Sequence, residues 1–267
     1  MGNGRREPPV PFFLKGGRTV DGPTKPRVLF AGDRCAVVEF GTAIDRAVNA
    51  RVQQLRRDLE ARPLGGITEL VPTYRSLAMY FDPRRAGEEL PELLASRAAS
   101  LEGSAETGGR CVVIPVGYGG EWGPDLPEVA RHAGLSESEV VSRHTGRDYY
   151  CYMLGFTPGF AYLGGMDETL ATPRLANPRT KIPAGSVGIA GAQTGIYPID
   201  SPGGWRLIGR TPLRLFDPDG HPPTLLDAGL WVRFAAVDEA GYAAVADQVR
   251  RGVYVPEVRE REGDHAA

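Results

Sequence analysis

Between Tyr152 and Pro218 the chain reads YMLGFTPGFAYLGGMDETLATPRLANPRTKIPAGSVGIAGAQTGIYPIDSPGGWRLIGRTPLRLFDP, where glycine and proline recur too often for ordinary helix to persist. Proline fixes φ and removes a backbone donor, while glycine lets the chain reach φ > 0 or pass close to another segment. Short β-prone pieces between such turns suit a compact barrel better than a sandwich of long strands. The run also carries Arg174, Arg179, Lys181, Gln193 and Arg210, so it either shapes a site or turns a barrel.

Ahead of it the pattern is more regular. Val28 to Phe30 and Cys35 to Phe40 read as a strand pair, and Ile67 to Val71 with Leu77 to Phe81 as a second. Ile44, Val48, Val52, Leu55 and Leu59 recur at helical spacing, with Thr42 as the expected cap and Arg46, Arg51 and Arg56 left for solvent. Leu90, Leu93, Leu94, Ala98 and Leu101 repeat the period. The expectation is an α+β protein whose small N-terminal α/β domain, an antiparallel sheet with two helices, spans 27–101.

The polar, glycine-rich stretch Glu102 to Gly109 is the expected joint to a second domain over 110–252. Within that domain, Val112 to Val116 is a strand and Pro124 to His132 a short helix. Ser136-Glu137-Ser138-Glu139 spells a capping box for another helix, which ends near His144. Asp238 opens a last helix with Tyr242, Val245 and Val249 facing inward. Residues 1–26 and 253–267 read as a flexible arm and tail.

At 267 residues and 42% hydrophobic the chain can bury a sizeable core. A formal charge of −2 gives no global case for nucleic acid or an anionic membrane. No apolar stretch approaches the roughly 20 residues that span a bilayer. Three scattered cysteines, Cys35, Cys111 and Cys151, fit reduced thiols and a cytoplasmic location better than a disulfide framework, and no His/Cys/carboxylate spacing spells an intrinsic metal site.

Three motifs carry candidate chemistry. Arg174, Arg179 and Lys181, held between Pro173, Pro178 and Pro183, form either an anion pocket or a solvated rim, since guanidinium pairs a carboxylate or phosphate through two parallel bonds. His144 closes a helix, where the dipole would raise its pKa and suit a general acid; the plainer use is a helix-end bond to a carbonyl. Ser186 misses the serine-hydrolase spacing and is no nucleophile. Phe156, Phe160, Tyr162, Tyr197 and Trp205 lie among glycines as either a barrel core or anchors of a partner interface. Gly117-Tyr118-Gly119-Gly120 lacks the spelling of a phosphate loop.

Gly155-Phe156-Thr157-Pro158-Gly159-Phe160, Ile182-Pro183-Ala184-Gly185-Ser186-Val187, Gln193-Thr194-Gly195-Ile196-Tyr197-Pro198 and Ser201-Pro202-Gly203-Gly204-Trp205, in that order, resemble the KipI/PxpB family, which holds the B subunit of 5-oxoprolinase and the first subunit of allophanate hydrolase. Tyr118 to Glu121, Gly123 to Leu126 and His144 look like the same family's lead-in, so the likeness covers roughly 27 to 252. The resemblance implies a ferredoxin-like domain followed by a cyclophilin-like β-barrel. It also implies one part of an ATP-dependent 5-oxoprolinase, inactive alone, that opens 5-oxoproline to glutamate with the A and C subunits of that enzyme. ATP and Mg²⁺ would then sit at a composite site with the C subunit. In that setting His144 and Lys181 are the expected catalytic residues, and Arg174, Arg179, Ser186 and Gln193 the expected substrate contacts. The resemblance leaves open a KipI-like inhibitor of a sensor histidine kinase, or half of a urea-carboxylase-type carboxyltransferase.

Overall fold

The computed structural model describes residues 25–101 and 109–261. Residues 102–108 of the expected 102–109 joint, most of the N-terminal arm and the last six residues lie outside them.

The first domain runs β1 (Arg27–Phe30), β2 (Cys35–Glu39), α1 (Arg46–Ala61), β3 (Ile67–Pro72), β4 (Ser76–Phe81) and α2 (Leu90–Ala99). Its antiparallel sheet has the order β1-β2-β4-β3, that of a ferredoxin-like sheet with its last strand moved to the front. Val52, Leu55 and Leu59 of α1 and Leu90, Leu94 and Ala98 of α2 pack on Ala36, Val38, Leu77 and Met79, the alternate positions of the central strands. The helical period therefore buries the face it marks.

Three local expectations are corrected. The cap of α1 is Asp45, whose carboxylate accepts from the amides of Ala47 (2.7 Å) and Val48 (3.2 Å), so Thr42 does not serve and Ile44 falls outside the helix, exposed. Arg51 is buried, its guanidinium 4.8 Å from the Phe40 ring centroid, because a long stem and a planar cation can cover apolar surface. Leu93, on the outer side of α2, is exposed.

The second domain contains β5 (Gly109–Tyr118), α3 (Leu126–Ala133), α4 (Glu137–Thr145), β6 (Asp148–Leu154), β7 (Ala161–Gly164), β8 (Arg179–Ile182), β9 (Ser186–Ala190) and β10 (Gln193–Ile196). It continues through β11 (Ser201–Gly203), β12 (Arg206–Arg210), β13 (Trp231–Ala236), α5 (Glu239–Arg250) and β14 (Val258–Arg261). Seven strands close in the order β12-β9-β10-β7-β6-β13-β5, and β5 returns to β12 through Gly117 and Tyr118. Closure through the end of β5 pairs the ring's two outer strands with each other. Leu126, Val129 and Ala130 of α3 and Val140 of α4 join the barrel's core, and Ser136 with Glu139 makes the expected capping box.

The separate pair β8–β11 folds over one flank of the barrel. The turn feeding β9 needs glycine at 185, where φ is 82° and a Cβ would lie 2.2 Å from the Thr211 carbonyl oxygen. In α5, Val245 and Val249 pack against the core as expected, and Tyr242 stacks on Trp122. The flexible tail is corrected over Val258–Arg261, which pairs antiparallel with β5 from Val112 to Gly109. A charged strand needs no apolar alternation when backbone bonding to the start of β5, which β12 does not reach, holds it.

Candidate functional site

His144 lies inside the barrel, fully buried. The Thr194 hydroxyl donates to the Gly188 carbonyl (3.1 Å), so it accepts from His144 Nε2 (2.8 Å), and His144 Nδ1 accepts from the Tyr118 hydroxyl (2.8 Å). Burial pushes the His144 pKa down to about 3 and that of Tyr118 well up, so both are neutral across the physiological range. The expected cationic helix-end acid is therefore corrected. Both ring nitrogens are engaged inside the barrel, and the ring stays neutral because the loss of hydration outweighs the dipole of a short helix.

On the flank, Arg179 pairs bidentately with Asp125 (2.8 and 2.9 Å), the residue that begins α3, while Asp125 also accepts from the Leu207 amide (2.7 Å). That guanidinium ties β8, α3 and β12 together. Arg206 pairs with Glu128 and with the Pro173 carbonyl, and Arg210 donates to the Ala184 carbonyl. The exposed cations of the expected pocket are Arg174, whose guanidinium lies 6.0 Å from the Trp205 ring centroid, and Lys181, on a surface pair with Asp200. Ser186 is buried at the start of β9, and Gln193 reaches across to the first domain, donating to the Tyr74 hydroxyl at 3.1 Å.

The aromatic anchors divide. Phe160, Tyr197 and Trp205 are buried together with Ile182 and Leu207 in a small core between the flank sheet and the barrel, so of the two uses the sequence left open these three take the core and the interface assignment is corrected for them. Tyr162 is half-buried and Phe156 exposed, its φ of 67° a conformation bulky residues seldom adopt. From Phe156 the rings continue through Phe160, Tyr162, Tyr74, Tyr152 and Tyr150 to Trp231, each neighbouring pair 5.0–5.9 Å apart. Burial pushes Tyr74 up to about 12, so its hydroxyl stays protonated.

That aromatic row leads to the seam between the domains, which periodicity and motif did not mark. Asn49, fully buried on α1, donates to the carbonyls of Thr73, Tyr74 and Tyr152 and accepts from the Tyr150 hydroxyl (3.0 Å). Arg56 pairs bidentately with Asp227 of the barrel (2.6 and 2.9 Å). Beside Asn49 opens a cleft of about 480 Å³, bounded by Asp45 and Arg46 from one domain and by Arg147, Asp148, Trp231 and Arg261 from the other. Burial works to raise the Asp148 carboxyl, but hydrogen bonds from Arg233 (2.6 Å) and Arg261 (3.1 Å) hold it below the usual range. A lone tryptophan opening a late strand was the only visible signal of this place.

The family of the carboxyltransferase domain, subdomains C and D, matches residues 26–226. The chain belongs to that family. It is 45% identical over 228 residues to the 5-oxoprolinase B subunit of Bacillus subtilis, covering 81% of this chain and 95% of the relative. Against the 5-oxoprolinase B subunit of Escherichia coli it is 42% identical, covering 80% and 97%. The crystal structure of TTHA0988 superposes with a TM-score of 0.68 at 39% identity, over 77% of this chain and 40% of that one. The small antiparallel domain followed by a barrel is thus the family's architecture as well as the one the residues foretold.

Among the described residues no helix is long and apolar enough to cross a membrane, and no three His, Cys, Asp or Glu side chains converge as metal ligands.

Proposed function

We propose that this chain is the B subunit of an ATP-dependent 5-oxoprolinase that converts 5-oxoproline, ATP and water to glutamate, ADP and phosphate. The observation that carries the reading is the likeness to the Bacillus subtilis B subunit over 95% of that protein's length. An unactivated lactam resists hydrolysis. Transfer of a phosphoryl group to its carbonyl oxygen creates a leaving group and an electrophilic carbon, chemistry that depends on positioned cations.

The geometry supports a shared site. Arg179, Arg206 and Arg210 are engaged within the chain, whereas Arg174 and Lys181 lie exposed on the flank, where a C subunit docked against Phe156 could use their charge. The described residues offer no carboxylate cluster for Mg²⁺, so the ion is assigned to the ATP it accompanies and no residue here is given the role of ligand.

The test is reconstitution. The purified chain alone should release no glutamate from 5-oxoproline and ATP, and should restore turnover when mixed with the cognate A and C subunits. Turnover by those two without this chain, or by this chain alone, would reject the assignment.

A further inference from the structure

Where the domains join, Tyr74 stands between two other tyrosines, and all three rings are half-buried. Tyr74, in the turn between β3 and β4, lies 5.3 Å from Tyr152 and 5.9 Å from Tyr162, centroid to centroid. Gln193 donates to the Tyr74 hydroxyl, but among the described residues none of the three phenol protons has an acceptor. A phenol packed on its ring and unmet at its proton matches a partner that offers flat apolar surface and acceptors together.

The chain carries such a segment close by. Glu7-Pro8-Pro9-Val10-Pro11-Phe12-Phe13 precedes β1, outside the described residues, and contains the spacing P-x-x-P. Proline brings a carbonyl acceptor without an N–H donor and a rigid apolar ring, so runs of this spelling dock on aromatic surfaces at little cost in entropy. Position agrees with chemistry. Arg27 opens β1 opposite Glu39, which in turn lies opposite Ser76, so the entry to β1 is two strand spacings, about 10 Å, from a residue two places past Tyr74. Arg27 and Arg75 share Glu39 as an ionic partner at this same end of the sheet. The chain from Pro11 to Arg27 spans up to roughly 50 Å, several times the distance required.

We propose that the segment Pro8 to Pro11 docks on the row formed by Tyr74, Tyr152 and Tyr162, its carbonyls accepting from the phenol hydroxyls and its rings lying on the aromatic faces. Tyr74 belongs to the first domain, whereas Tyr152 and Tyr162 belong to β6 and β7 of the second, so the docked segment straps one domain to the other. Attachment to β1 favours this chain's own segment over that of a second copy, because a segment on a short tether acts at about millimolar effective concentration. The row is separate from the Arg174 and Lys181 flank, and its occupation is independent of the reaction assigned above.

The test uses the full chain with a nitroxide attached at Glu7→Cys; the native thiols of Cys35, Cys111 and Cys151 are buried and escape labelling. Amide resonances of Tyr74, Tyr152 and Tyr162 should broaden relative to the same sample after the nitroxide is reduced. The broadening should survive dilution, and it should be absent when nitroxide-bearing chain is mixed with isotope-labelled chain that has no nitroxide. Tyr74→Phe and Tyr162→Phe each keep the ring and remove one donor, which should lower the docked-to-free ratio about twofold to tenfold, the worth of one neutral hydrogen bond. Pro11→Ala should lower it too, and Tyr80→Phe, at an exposed tyrosine of β4 outside the row, should leave it unchanged. Circular dichroism identifies any tyrosine variant that fails to fold, and Pro11→Ala, outside both domains, then decides.

No broadening at these three residues, or broadening spread evenly over the exposed surface, would overturn the proposal and leave the row to a partner subunit. Broadening seen only between chains would give the row to a second copy and overturn it equally. Broadening untouched by Pro11→Ala and by both folded tyrosine variants would show a contact made by some other part of the arm, and the Pro8 to Pro11 assignment would fall.

Discussion

His144 in the barrel and Asn49 in the seam are both polar, both fully buried and both bonded on every side, yet their bonds run to different places. His144 joins α4 to β5 and β10 of its own domain. Asn49 joins α1 to the turn before β4 and, across the domain boundary, to β6. Buried polar groups of this kind must be satisfied or they cost stability, so each fixes the geometry of whatever it connects. The barrel is thus pinned from within, and the relative placement of the domains is pinned by a polar joint beside the cleft. Arg56–Asp227 and Gln193–Tyr74 extend that joint.

The largest effect expected from breaking this contrast is in the barrel. His144→Ala removes a packed ring, takes the acceptor from the buried Tyr118 hydroxyl and leaves Thr194 only its bond to the Gly188 carbonyl, which should lower unfolding stability by about 3 to 5 kcal/mol in urea denaturation. The wild type should also show a pH signature. The folded pKa is about 3 and the unfolded one ordinary, so the unfolded chain binds the extra proton, and the contribution of neutral His144 is present above about 6.5 and lost as pH falls toward 3. The limiting slope is about 1.4 kcal/mol per pH unit. Asp58 and Asp148 have lowered pKa values and act in the same direction, but only below about pH 4. Stability measured between about pH 4.5 and 6 should therefore fall in the wild type and stay nearly level in His144→Gln; equal slopes would show that the histidine is not buried neutral.

Smaller, and different in kind, is the effect on the seam. Asn49→Ala leaves the buried Tyr150 hydroxyl and three carbonyls without that partner, for about 2 to 3 kcal/mol. Because the lost bonds cross between domains, hydrogen exchange should rise first at the facing backbone of Thr73, Tyr74 and Tyr152, with amides of the barrel interior little changed. Uniform acceleration through both domains would mean the seam and the barrel unfold as one unit. A boundary held only by a glycine-rich joint would show no response at these three residues.

Much of the scaffold was legible. The spacing of Val52, Leu55 and Leu59, the Ser136 to Glu139 box and the glycine-rich β text each foretold its element, because local period and turn chemistry act over a few residues. What failed was partnership. Arg179 reads as a free cation between prolines, and nothing nearby announces Asp125, 54 positions upstream. His144 reads as a helix-end cation until the barrel closes around it. The cleft is assembled from Arg46, Arg147, Trp231 and Arg261, residues that only the topology of the two domains brings to one place.

The smallest stability effect belongs to the flank, where Arg179 and Lys181 stand two positions apart on β8 and do unlike things. Arg179→Ala strips the bidentate partner from the nearly buried Asp125 and should cost about 1 to 2 kcal/mol, less than a fully buried pair because the guanidinium is partly solvated. Lys181→Ala breaks a solvated pair with Asp200 and should leave the melting temperature unchanged. If the flank supplies charge to a composite site, the same Lys181→Ala chain, reconstituted with the A and C subunits, should lose about tenfold in kcat/KM while assembling normally, the effect of one charged contact to substrate. Stability and turnover then separate on a single strand: the inward cation holds the fold and the outward one serves the reaction. Full turnover by the Lys181 variant would reduce the flank to an assembly surface, and a fall in its melting temperature would show that both cations are structural.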